Sequence, residues 1–125
     1  MRMSNYQLIT VSLEDQQREE FTISPDAQDK IRDDLNQAMA KNTIADDRER
    51  SIAECALLAV AIEMAHEEGT TLVKAAHVSR GWQESLSIGP GCDPPAECLR
   101  RSVIERVDEI KARSFVFREM MSEIE

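Results

Sequence analysis

Aromatic side chains are scarce in this sequence: Tyr6, Phe21, Trp82, Phe115 and Phe117 are the whole set, 4% of the chain. Any core must therefore be built from Ala, Leu, Ile, Val and Met, the mixture that good helix formers supply, and the expected fold is mainly α. A surplus of positive charge is missing as well, because 24 acids against 15 bases leave a net charge of −9. That balance opposes a phosphate backbone, which is held by clustered Lys and Arg, and it opposes an acidic membrane surface. Neither nucleic acid nor membrane is expected as a partner. Long apolar runs are absent too. The longest, residues 52–65, is interrupted by Glu54 and Glu63, whereas a spanning helix needs about 20 apolar residues. The polar opening MRMSNYQLITVSLEDQ does not read as a secretory leader, so a cytoplasmic location with reduced thiols is expected.

Cysteines are few and odd in number, and no CxxC pair occurs among Cys55, Cys92 and Cys98. A disulfide framework is thereby disfavoured. Cys55 lies in the apolar run and reads as a small buried hydrophobe. Cys92 and Cys98 flank DPPAE, where a bridge or a metal site is the competing reading.

What is present falls into recognisable elements. In YQLITVSL, Ile9, Val11 and Leu13 alternate with Thr10 and Ser12, and period two means a strand. After the charged EDQQREE, Phe21-Thr22-Ile23 reads as a second short strand, giving an N-terminal β-hairpin with a loop of about five residues. Ser24-Pro25-Asp26 then opens a helix: a side-chain acceptor, a ring with no donor to lose, and an acid at the positive end of the dipole. Ala27, Ile31, Leu35, Ala38 and Met39 form its apolar stripe, so the helix should run to about Lys41 and break at Asn42-Thr43-Ile44. Asp46 or Asp47 caps the next one. This second helix, residues 47–68, is apolar around nearly its whole circumference, which identifies it as the buried centre of the fold.

Gly69 can adopt the left-handed conformation that ends helices. Residues 70–73 then read as an extended strap, and a third helix carries Ala75, Ala76, Val78 and Trp82. Residues 86–95 hold three of the four prolines and two of the four glycines and read as a hinge. From Ala96 to the end the pattern predicts one long C-terminal helix. Its apolar positions Leu99, Val103, Ile110, Phe117 and Met120 resemble a heptad seam interrupted by Arg106 and Arg113. The expected organisation is one domain: a hairpin plus three-helix core over residues 1–85, the hinge, and the final helix over 96–125.

Both histidines and the only tryptophan fall in AHEEGTTLVKAAHVSRGW, residues 65–82. His66, His77 and Trp82 are therefore the candidate site residues. A histidine near a helix end also has structural uses, and a metal centre wants several ligands at close spacing, such as His-x-x-x-His, which does not occur. Glu63, Glu67 and Cys92 are the residues that could complete such a set. No catalytic serine turn or phosphate loop is present: Ser79 and Ser85 lack a G-x-S-x-G context, and Gly89-Pro90-Gly91 lacks the lysine. No catalytic residue, cofactor or bound metal is expected.

The stretch from Ile52 through Gly81 is a long apolar helix, a glycine, a β-branched strap, then Val73-Lys74-Ala75-Ala76-His77-Val78 leading a shorter helix. It is similar to the second half of the histone fold and to the helical lid of AAA+ ATPases. With the first helix in front, the resemblance covers residues 24–85. Lys74 departs from the capping Thr or Ser of those families, and the basic residues by which histones hold DNA are missing. The resemblance implies a helical module that binds protein.

Charge is unevenly spread. Residues 14–34 hold eight acids against Arg18, Lys30 and Arg32, while residues 100–118 hold six bases against Glu105, Asp108 and Glu109. Complementary ends of this kind suit self-pairing or an oppositely charged partner. The function expected from the sequence is a small acidic protein-binding module: an adaptor, regulator or inhibitor, with imitation of nucleic acid as one form of it. Leu99, Val103, Ile110, Phe117 and Met120 are its expected interface, a second copy of the chain or another protein its partner, and a homodimer its expected state. The alternative is a metal-dependent enzyme using His66 and His77.

Overall fold

The computed structural model describes residues 6–14, 17–86 and 95–124. Its architecture is mainly α with a small N-terminal sheet, in the order β1 (Gln7–Glu14), β2 (Gln17–Ile23), α1 (Pro25–Ala40), α2 (Asp47–Glu67), β3 (Leu72–Val73) and α3 (Ala75–Gly81). A π-helical turn (Trp82–Leu86) follows α3, and the chain continues as α4 (Pro95–Ser102), a 3-10 turn (Ile104–Arg106), α5 (Val107–Arg113) and α6 (Phe115–Ile124). Among the described residues, no helix is long and apolar enough to cross a membrane.

The capping chemistry behaves as the residue types dictate. The Ser24 hydroxyl accepts from the Ala27 amide at 3.1 Å, and the Asp46 carboxylate accepts from the Glu49 amide at 2.9 Å. Both long helices end in the same way. After α1, Asn42 takes φ +62° and the Thr43 amide reaches back to the Ala38 carbonyl; after α2, Gly69 takes φ +81° and the Thr70 amide reaches Ala65. Each left-handed residue lets the chain turn while satisfying carbonyls the helix leaves over.

The hairpin is tighter than its charges suggest. β2 begins at Gln17, so Arg18, Glu19 and Glu20 pair with Ser12, Val11 and Thr10 in an antiparallel ladder. They belong to the strand because alternation puts Phe21 and Ile23 inward and leaves Arg18 and Glu20 on a wetted face, while Glu19, on the inner face, lies at its margin beside His66. The strap after Gly69 adds a third strand: Leu72 and Val73 pair in parallel with Thr22 and Ile23, giving the order β1-β2-β3.

Helix α2 is the hub, with Ala53, Ala56, Leu57, Ala59, Ala61, Ile62 and Ala65 all fully buried. It packs against α1, α3 and α6. Alanines on several faces let those neighbours approach, and Gly81 extends the effect: a Cβ added there would lie 2.6 Å from Val60 Cγ2. Gly81 is thus a point of helix contact as well as the end of α3.

The C-terminal segment departs from the expected single helix. It breaks at Val103 and again at Ser114, whose hydroxyl accepts from the Phe117 amide at 3.1 Å and caps α6. The three pieces wrap the chain's own core. Leu99, Val103 and Phe117 are fully buried, Ile110 is nearly so, and Met120 is half-buried against the same core. The expected interface seam is therefore an internal packing surface: with two breaks, residues spaced for one stripe end up on helices with different neighbours, α4 on α1, α5 on α6 and α6 on α2. Lys41–Glu97 and Arg100–Glu49 ion pairs, with a bond from the Thr43 hydroxyl to the Ala96 carbonyl, fasten α4 to the α1–α2 corner. The hinge reading falls largely on residues 87–94, outside the described residues, as does Cys92.

Candidate functional site

The junction between α2 and α3 brings the histidines to different surroundings. His66, in the last turn of α2, is half exposed; its Nδ1 stands 3.4 Å from Glu19 Oε2 and its ring meets Phe21 edge-on at 6.4 Å. His77 is buried. Its Nδ1 accepts from the Lys74 amide at 2.9 Å, so the ring proton sits on Nε2 and is donated to Glu68 Oε1 at 3.0 Å. From the third position of α3 this imidazole does for the helix start what a Glu or Gln does in a capping box. The lysine at the cap position is compensated in this way. Glu68 is also bonded by Arg80, and its carboxyl is held below the usual range by the His77 hydrogen bond and the two neighbouring bases.

Both nitrogens of His77 are therefore committed to structure. Trp82 is fully enclosed at the start of the π-helical turn. Among the described residues, no three His, Cys, Asp or Glu side chains gather as metal ligands. Cys98 is buried with Arg101 against its sulfur at 3.4 Å, and Cys55 is half-buried, where burial and the nearby acids Glu54 and Glu123 push its thiol up to about 11.

Behind the π-helical turn lies a cavity of about 250 Å³ lined by Val60, Glu63, Glu84, Ser85, Leu86, Ile110, Arg113 and Ser114. The π turn is one of its walls, and such turns occur often at functional sites. Two arginines fix that wall by taking up carbonyls at its end: Arg113 Nη2 donates to Ser85 O at 3.1 Å and Arg106 Nη1 to Leu86 O at 3.0 Å. In the sequence both arginines looked like faults in a seam. In the fold they are end caps.

Glu63 enters the cavity from α2. The Ser114 hydroxyl donates to its Oε2 at 2.9 Å while accepting the α6 cap bond, so one serine holds both the helix and the carboxylate. Burial pushes the Glu63 carboxyl above its ordinary range, with the Ser114 bond pulling the other way. Its Oε1 takes no hydrogen bond among the described residues and keeps accessible surface on a residue that lines the cavity.

No protein-family model, curated protein or solved structure matches this chain. The candidate surfaces rest on geometry alone. Glu63 was visible in the sequence as one of two acids breaking the apolar helix, and nine residues, about two and a half turns, put the pair on opposite sides of α2. Glu54, the other, lines a second cavity of about 330 Å³ with Gln7, Gln28, Arg32 and Arg50 at the helix–sheet boundary.

The sheet contributes a third surface. β1 is an edge strand, and the Ser12 amide, facing away from β2, is taken by Glu119 Oε1 of α6 at 2.9 Å. By the two-residue repeat, Thr10 and Leu8 also turn their backbone groups outward. Arg18 donates to the Thr10 carbonyl, but towards Leu8 no described element covers the edge. There, among the described residues, the two most exposed large apolar side chains stand two positions apart, Tyr6 at 59% and Leu8 at 62%.

Proposed function

We propose that the chain is a small acidic protein-binding module that meets its partner along the open end of β1. The observation that carries this reading is the coincidence of an unpaired strand edge with Tyr6 and Leu8, both largely exposed on one face of it. An uncovered edge is a template for strand addition, in which backbone bonds give affinity and alternate side chains give selectivity. The net charge of −9 supports a partner with a basic surface, another protein or the basic C-terminal region of a second copy. The likeness of residues 24–85 to the histone fold and the AAA+ lid belongs to this proposal as well. Histone folds pair through their central helix, but α2 is enclosed here by α1, α3 and α6, so the proposed contact lies on the sheet.

Leu8→Pro tests it. The Leu8 amide faces outward, so proline removes no bond to β2 while blocking strand addition. The native mass of the protein purified from its own cell is expected to exceed the 14.1 kDa of one chain, and Leu8→Pro is expected to return it to that mass with an unchanged thermal melt. A single-chain mass for the unaltered protein, or a larger mass that survives Leu8→Pro, would overturn the reading.

A further inference from the structure

The cavity behind the π-helical turn holds two opposite charges that do not pair with each other. Half-buried Glu63 and exposed Arg113 both line it, and neither forms an ion pair among the described residues, the Arg113 charge reaching Glu109 only at longer range; each is bonded to a neutral group of the same lining, the Ser114 hydroxyl and the Ser85 carbonyl. Opposite charges sharing a small cavity would gain by closing on one another. Here their anchors hold them apart, an arrangement complementary to a molecule carrying both signs. Glu84, the remaining charge on the lining, is bound at 3.0 Å by Arg80 outside it.

Apolar surface lies between the charges: Val60, Leu86 and Ile110 line the same space. The volume of about 250 Å³ falls below the roughly 300–1,000 Å³ of drug-sized sites, which restricts the occupant to a small molecule. The cavity of about 330 Å³ beside Glu54 is less suited, because Arg32 is already bound to Asp29 at 2.8 Å.

We propose that this cavity binds a free α-amino acid with an aliphatic side chain. Its ammonium donates to Glu63 Oε1, its carboxylate accepts from the Arg113 guanidinium, and its side chain lies on Val60, Leu86 and Ile110. Ser85 on the π turn completes the polar rim. The selectivity comes from having both charges: a ligand with only one leaves the other protein charge unmatched, and a charge-assisted hydrogen bond is the kind of contact whose loss is felt in full.

Calorimetric titration of the full chain with L-leucine, N-acetyl-L-leucine and 3-methylbutylamine tests this. Leucine is expected to bind, and the two probes with a single charge to bind at least about tenfold more weakly, the equivalent of one charge-assisted bond. Glu63→Gln, which can still accept from Ser114, should bring leucine down to the affinity of N-acetyl-leucine and leave the latter unchanged. Arg113→Gln should bring leucine down to the amine, and Arg113→Lys should restore part of the loss. Should a variant fail to fold, amide shifts in the unaltered protein give the same answer: leucine must move Glu63, Ser85, Arg113 and Ser114 ahead of the rest. Equal binding of all three probes, or no shift at these amides with leucine, valine or methionine at millimolar concentration, would overturn the proposal. Neither result bears on the β1 edge, which the Leu8→Pro experiment tests separately.

Discussion

At Gly69 nothing lies within 4 Å of where a Cβ would be, but φ is +81°; at Gly81 the backbone is ordinary and the space is taken by Val60. The two glycines are thus required for unrelated reasons, and the same substitution separates them. Gly69→Ala should cost about 1–2 kcal/mol, the strain of an L residue in the left-handed region, and Gly69→Asn should recover much of it, as Asn42 already occupies that conformation after α1. Gly81→Ala should cost about 1–3 kcal/mol through overpacking, with no recovery by asparagine. Urea melts of the four variants against the unaltered protein measure both. Cys55 illustrates a different residue-scale effect. Its thiol, held up to about 11 by burial, should resist alkylation at pH 8 in the folded protein and react promptly in denaturant, read by mass spectrometry of the peptide carrying it.

Elements were legible where local chemistry decides them. Ser24-Pro25-Asp26, the acids at 46 and 47, and Gly69 marked helix ends correctly, because a cap is a contact between near neighbours in the chain. The C-terminal region is less legible because its deciding contacts are remote: Ser114 answers to Glu63, Arg106 to Leu86, and Arg113 to Ser85. Ser114 ahead of an apolar run was itself a cap signal of the kind that identified Ser24. The candidate cavity was legible only in pieces, Glu63 as an interruption of one helix and Arg113 as an interruption of another. A direct consequence concerns Val103 and Ile110. Glutamate at either position buries an uncompensated charge in the chain's own core, so each variant should lose several kcal/mol and unfold, rather than remain folded and change its solution mass. Circular dichroism alongside light scattering distinguishes the two outcomes. Glu63 supplies a pH-dependent counterpart. Because its folded-state carboxyl is raised by burial, the native state holds the proton more tightly than the unfolded chain, and its contribution to stability is lost as pH rises from the ordinary carboxylate range through the raised value. Glu63→Gln, which does not titrate, should match the unaltered protein in acid and exceed it in stability near neutrality, as melts across that range will record.

For the molecule as a whole, the last helix acts as a latch. α6 packs on α2 and on β1, burying Val116, Phe117 and Met121 and sending Glu119 to the Ser12 amide and the Arg18 guanidinium. Removing residues 115–125 should therefore expose one side of the hub and free the covered half of the β1 edge together. The expected result is a helical but loosely packed state that binds a hydrophobic dye and loses its cooperative melt.

The parallel seam between β2 and β3 has a consequence for how the chain reaches this state. Hairpin β1–β2 and the caps of α1 and α2 form between near neighbours, but the seam joins segments separated by both long helices, and the Ser12–Glu119 bond joins residues 107 apart in the chain. Closing loops of that size costs entropy before it returns any contact energy, so these joints set the pace of folding. The helices and the hairpin are expected to be assembled before the strap docks. Val73→Ala should then slow refolding more than it accelerates unfolding, making the smallest strand of the sheet the one on which the finished molecule waits.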